Sequence, residues 1–158
     1  LMVTMLRVDD RLLHGQVAFS WINQTNPDAI LIANDGVIND EITKLAIKMA
    51  KPAGVKMAIK SLKDGIDLIN NPKTNNMKIF VVVKNTDDAL KVVQEIEGIK
   101  MLNIGGASNK KEGGKMILKG IYMTAKDIEN IRKLIPLVET IDTRVVPSDS
   151  CKNIEEFI

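Results

Sequence analysis

Histidine and cysteine each occur once in these 158 residues, and aromatic side chains make up only 3% of the chain. The lone cysteine, Cys151, excludes an intramolecular disulfide. With a single histidine beside it there is no Cys/His zinc set, so neither a metal nor a cofactor is expected. One Trp, one Tyr and three Phe provide no row of stacking platforms for single-stranded nucleic acid. Charge of one sign is also missing. The 22 basic and 20 acidic side chains leave a net charge of +2, too small a field to draw the chain onto nucleic acid or an anionic membrane. No run approaches the ~20 apolar residues that span a bilayer. Leu1 to Leu6 is too short for a signal-peptide core and runs directly into charged Arg7 to Arg11. These absences point to a soluble cytoplasmic protein with no nucleic-acid partner, reaching a membrane only through other proteins.

What is present is a core of Ile, Val, Leu, Met and Ala, with 45% hydrophobic and 27% charged residues, ordinary values for one globular domain over residues 1–158. Apolar runs alternate with helical periodicities along the whole chain. That pattern predicts an α/β fold with an open, mainly parallel central sheet and helices on both faces. Strands are expected at Met2 to Val8, Ala29 to Ala33, Val55 to Ile59, Met77 to Val83, Met101 to Ile104 and Ile141 to Val146. Leu13, Val17, Ala18, Trp21 and Ile22 mark the first helix face. Ile42, Leu45, Ala46, Met49 and Ala50 give the cleanest helical stripe, closed by Pro52 and Gly54. Ser61 to Asp64 and Thr124 to Asp127 read as capping boxes, and Thr86 as an N-cap. Met116 to Met123 suggests an antiparallel hairpin turning at Lys119-Gly120. The Gly105 to Gly114 segment reads as a mobile loop; it lacks a P-loop ending, because Met116 follows Gly114-Lys115.

The single histidine, His14, falls after the first strand and immediately before the first helix. Open parallel sheets bind ligands at this edge. A helix N-terminus there offers unpaired N–H groups and partial positive charge to an anion such as phosphate, and it favours the neutral, nucleophilic imidazole. Arg11, three residues earlier, is within reach to fork its guanidinium onto two phosphoryl oxygens. Gly15 lets the backbone approach without a side chain in the way. Asp9 and Asp10 are both placed to accept a hydrogen bond from the imidazole, to hold Arg11, or to cap the turn, and their roles stay open at this level. Asn34-Asp35, at the end of the second strand, is expected beside the His14 loop, either contacting phosphate or forming a turn. Lys110 and Lys111 suit either an acidic partner or a solvated loop.

The segment Arg7-Val8-Asp9-Asp10-Arg11-Leu12-Leu13-His14-Gly15-Gln16-Val17 closely resembles the active-site loop of the IIB components of the mannose/fructose/sorbose family of the bacterial sugar phosphotransferase system. The similarity extends through Asn34-Asp35, the Lys44 to Val55 stretch, Asn103-Ile104-Gly105-Gly106 and Arg144-Val145-Val146-Pro147. The resemblance implies a phosphocarrier. His14 would take phosphate, through Nδ1, from a histidine of a separate IIA protein and pass it to a sugar entering through the membrane components IIC and IID. Arg11 matches the family's active-loop arginine, and Asp10 and Gln16 match its pattern. The competing reading is a doubly wound module that binds a phosphorylated ligand without turning it over. The identity of the sugar is not written in these residues.

Overall fold

The computed structural model describes residues 3–158, with the side chain of Gln16 outside the described set; Met2, the expected start of the first strand, lies outside it as well. Strand β1 (Val3–Asp9) is buried on both faces, and its alternation sorts its side chains between them. Leu6 and Val8 point to one side of the sheet and Met5 to the other. Arg7 and Asp9, two and four residues beyond Met5, share its side.

The chain continues through α1 (Gly15–Thr25), β2 (Ala29–Ala33), α2 (Glu41–Ala50), β3 (Lys56–Lys60), α3 (Leu62–Asn70), β4 (Ile79–Val83) and α4 (Thr86–Glu95). It then forms β5 (Met101–Gly106), β6 (Lys115–Leu118), β7 (Ile121–Met123), α5 (Ala125–Leu134) and β8 (Thr140–Asp142). Six strands form one sheet in the order β3-β2-β4-β1-β5-β8, with every neighbouring pair parallel. Parallel neighbours require crossovers, and the helices that make them cover both faces. Ala18, Trp21 and Ile22 of α1 and Ile47 of α2 pack on one side. Ile66 and Ile69 of α3, Ala89 and Val92 of α4, and Ile131 and Leu134 of α5 pack on the other. The expected antiparallel hairpin is present as β6 and β7, which form their own two-stranded sheet.

Three sequence expectations give way to the structure, and the α2 stripe takes a side that the sequence left open. The α2 stripe is not a buried face: Ile42, Leu45 and Met49 are 83%, 60% and 79% exposed, and Ile47 is the helix's buried anchor. The N-cap of α4 is Asn85, whose Oδ1 accepts from the Asp88 N–H at 2.9 Å. Thr86 is instead a buried link between helices; its hydroxyl donates to Asp127 Oδ1 at 2.6 Å and accepts from Asn130 Nδ2 at 3.0 Å. The last strand stops at Asp142, because the Val145 and Val146 N–H groups turn to Asp149 Oδ2 rather than to a ladder. Finally, Gly105 and Gly106 belong to β5, and the segment after them is tied to β7 by Asn109 N–H to the Tyr122 carbonyl at 3.0 Å.

Candidate functional site

Strand β1 lies between β4 and β5, but its crossover helix α1 leaves to one face while α4 and α5 lie on the other. The connections therefore diverge at the carboxyl end of β1 and open a crevice there, the usual ligand position of a doubly wound sheet. Arg7, Asp9, Asp10, Arg11 and His14 line a shallow pocket of about 240 Å³ in that crevice, together with Gly105, Gly106 and Ser108 from the β5 side.

His14 is the N-cap residue of α1, with extended backbone and no capping hydrogen bond from its side chain. The N-caps of α2, α3, α4 and α5 all accept from their own first turns through Asp40, Ser61, Asn85 and Thr124. No acidic side chain lies in the first turn of α1 either. Its leading amides and dipole are thus left to an external anion. Gly15 opens the helix at φ +39°, a left-handed backbone that favours glycine, and no atom lies within 4 Å of where a β-carbon would stand. Leu12 also adopts a positive φ, 58°, while its side chain is buried, so packing holds the loop in a conformation a leucine alone disfavours.

Of the two adjacent carboxylates, it is Asp9 that contacts the imidazole. His14 Nε2 lies 2.9 Å from Asp9 Oδ2. The same oxygen accepts from Arg7 Nε and Nη2 at 3.2 and 3.1 Å, and Asp9 Oδ1 accepts from the Arg11 N–H at 3.0 Å. Burial works to raise the Asp9 carboxyl, but the His14 hydrogen bond, the Arg7 charge and the Arg11 amide together hold it below the usual carboxylate range. An ionised carboxylate only accepts, so Nε2 carries a proton, and in the tautomer this contact selects the lone pair is on Nδ1. Nδ1 has no hydrogen-bond partner among the described residues. The side chain of His14 remains 22% exposed and lines the pocket.

Arg7 is not singled out by the sequence, yet it anchors the site from below. It is 3% exposed, and its Nη1 also donates to Asn103 Oδ1 at 2.5 Å and to the Val145 carbonyl at 3.3 Å. Asn103 in turn donates to Asp142 Oδ2 and the Arg144 carbonyl, and Arg144 forks onto Asp142 with contacts of 2.9 and 3.1 Å. Trp21, fully buried, closes this side by donating Nε1 to the Val145 carbonyl at 2.9 Å, with the Arg144 guanidinium 5.1 Å from its ring centre. A signal for Arg7 does exist in the sequence: Arg7 and Asp9 are the only charged residues of a largely apolar strand, stand two residues apart and so must meet on one face.

Arg11 is exposed on the pocket rim, and its side chain makes no hydrogen bond or ion pair among the described residues, so its guanidinium is uncommitted. Asp10 is also exposed; partial desolvation and then the charge of Asp9 push its carboxyl up. Asn34 and Asp35 stand elsewhere. Strand β4 separates β2 from β1. Asn34 Oδ1 accepts from the Val37 N–H at 2.9 Å and Asp35 Oδ1 from the Leu62 N–H at 2.9 Å. Asp35 also adds to the burial that raises Asp88, an acidic setting unsuited to phosphate. Gln16 belongs to α1, and its side chain lies outside the described residues.

Gly106 completes the pocket floor. A β-carbon built there would lie 2.6 Å from Asp9 Oδ2, so the position must be glycine for the carboxylate to hold its place. Gly106→Ala is expected to displace Asp9 from Arg7 and the imidazole and to cost about 1–3 kcal/mol of stability, the scale of overpacking a filled site. Urea unfolding checks this, and a variant as stable as the wild type would show that the Asp9 carboxylate has room to move.

An imidazole nitrogen presented in an anion-accepting crevice of a parallel α/β sheet defines a class of protein, and similarity to known proteins gives that class a name. The profile of the PTS system sorbose subfamily IIB component matches residues 3–158. The sorbose-specific EIIB component of Klebsiella pneumoniae is 36% identical over 156 residues, covering 99% of this chain and 94% of that protein. The mannose-specific EIIAB component of Escherichia coli K12 is 29% identical over 94% of this chain, which spans 46% of its length. Among solved structures, the IIBSor domain of the K. pneumoniae sorbose permease superposes with a TM-score of 0.91 at 35% identity, covering 99% of this chain and 95% of that one. The chain belongs to the sorbose subfamily of phosphotransferase-system IIB components, within the mannose/fructose/sorbose family. It is a phosphocarrier component of a sugar phosphotransferase system, and none of its described helices is long and apolar enough to cross a membrane.

Proposed function

We propose that His14 is the residue phosphorylated in this component. Its Nδ1 lone pair attacks the phosphorus of a phosphohistidine on a IIA partner; the new N–P bond forms as the donor's N–P bond breaks. The phosphoryl group then leaves Nδ1 for a sugar hydroxyl, whose proton is released, so the ring returns to its neutral state. The observation that carries this reading is the 2.9 Å contact between His14 Nε2 and Asp9, which occupies Nε2 and leaves Nδ1 as the ring nitrogen available to a reactant. Arg11 neutralises the transferring group, and the open N-terminus of α1 supplies oriented amides, a sufficient set for a reaction that depends on positioning and charge. Asp10, on the rim, offsets part of that positive charge and keeps the phosphate from being held too tightly to pass on.

The partners that fit this role are a IIA phosphodonor and the membrane components IIC and IID, with the sugar enclosed by the latter. The presence of a IIA portion in the name of the E. coli relative supports a IIA donor. The chain would then act as one domain in the cytoplasm at the inner face of the membrane, where the permease delivers the sugar.

The test is incubation with labelled phosphoenolpyruvate, the upstream phosphotransferases and a IIA protein. The expected product is an acid-labile, alkali-stable phosphoprotein; no label, or a label stable to acid, would overturn the assignment. In the same assay Arg11→Ala is expected to slow transfer by about ten- to a hundredfold, the worth of one charge-assisted hydrogen bond to the phosphoryl group, without abolishing it. Unchanged kinetics would remove Arg11 from the mechanism.

A further inference from the structure

The stripe on α2 runs opposite to expectation for a helix covering a sheet. Ile42, Leu45, Ala46 and Met49 lie at i, i+3, i+4 and i+7 on the solvent side, and the three large ones are 60% exposed or more. A contiguous apolar face of this kind marks a contact surface.

We propose that it pairs with the same face of a second copy of this chain, helix against helix and antiparallel about a two-fold axis. The argument lies in the charges along the stripe. Glu41 and Lys48 flank it on one edge, seven residues apart. With Ile42 of one copy level with Leu45 of the other, an antiparallel arrangement sets Glu41 opposite the second copy's Lys48, and symmetry makes the pair twice. A parallel arrangement would set Glu41 opposite Ala46 and make neither. Both side chains are free to reach outward: Glu41 is 82% exposed and its contact with Lys44 is long, 3.5 Å, and Lys48 is exposed. Ala46, small and beside the seam, lets the two backbones approach.

A ten-residue helix is about 15 Å long, so the contact is smaller than the ~1,200 Å² of a standard stable interface and gives a weak, concentration-dependent dimer. The face is separate from the His14 pocket, and the inference does not depend on the phosphorylation reading.

Sedimentation equilibrium up to about 1 mM chain, the weak end of specific association, tests it. The wild type is expected to dimerise reversibly. Leu45→Glu weakens association at least tenfold, with far-UV circular dichroism and melting temperature showing the fold retained. Glu41→Lys weakens it several-fold, and adding Lys48→Glu to it restores wild-type association to within about twofold. A wild type that stays monomeric throughout, association indifferent to Leu45→Glu, or no rescue by the double charge exchange would each overturn the proposal.

Discussion

His14→Ala is expected to reduce phosphate incorporation to background while leaving the protein folded. The chain holds one imidazole, so no second histidine can take over the label. The fold tolerates the change for reasons specific to the position. The ring is partly exposed and gives α1 no side-chain cap, and Asp9 keeps its contacts with Arg7 and the Arg11 amide when the ring is removed. The stability loss should therefore stay near the ~1 kcal/mol of one hydrogen bond. Urea unfolding alongside the labelling assay separates the two effects. An alanine variant labelled at the wild-type level would move the phosphate to another residue.

Asp9→Asn is expected to act on both stability and reactivity. The carboxylate and Arg7 form a buried pair, with side chains 2% and 4% exposed. Removing one charge of such a pair strands the other and costs about 3–5 kcal/mol. The direction of the Asp9 shift sets the pH at which this difference is felt. A carboxyl held below its unfolded value stabilises the native state fully above that unfolded value, near pH 4, and loses the contribution as pH falls through the lower folded value. The gap between wild type and variant in urea titrations should thus persist from neutral pH to about 4 and close at more acid pH. An amide, unlike a carboxylate, can also turn its NH₂ toward Nε2 and shift the ring proton to Nδ1. Transfer should slow by about ten- to a hundredfold, and ¹⁵N shifts of the imidazole should report a mixed tautomer. A variant with wild-type stability and a pure Nε2–H ring would refute the positioning role.

The strand and helix alternation is legible in the sequence because each element carries its own period and end signals; Ser61 and Thr124 cap the helices they are expected to cap. The placement of His14 between a strand and a helix is legible for the same reason. What local sequence does not contain is the order of strands. Asn34-Asp35 follows the second strand in the chain, but β4, about fifty residues later, inserts between β2 and β1 and carries that pair away from the pocket. Periodicity likewise reveals that α2 has an apolar face without revealing which face the protein covers. Arg7 is partly hidden by a different effect. A charged residue in a strand reads as an edge or a solvent face; its spacing from Asp9 is visible in the sequence, but only the register of β1 with β5 shows that Asn103 is there to receive it as well.

Strand β1 is flanked by parallel neighbours on both sides, and the groups that aim the imidazole grow directly from it. Reactive machinery is more often mounted on segments that open independently, so that chemistry can be retuned without touching the rest of the molecule. Here the central strand cannot open without the sheet opening with it. Substitutions at Arg7 or Asp9 are therefore felt as changes in the viability of the whole polypeptide before they can be selected as changes in reactivity. What can change without loosening the strand is the periphery of the crevice at the β5–β6 connection, where a different partner can be accommodated while the imidazole stays in place.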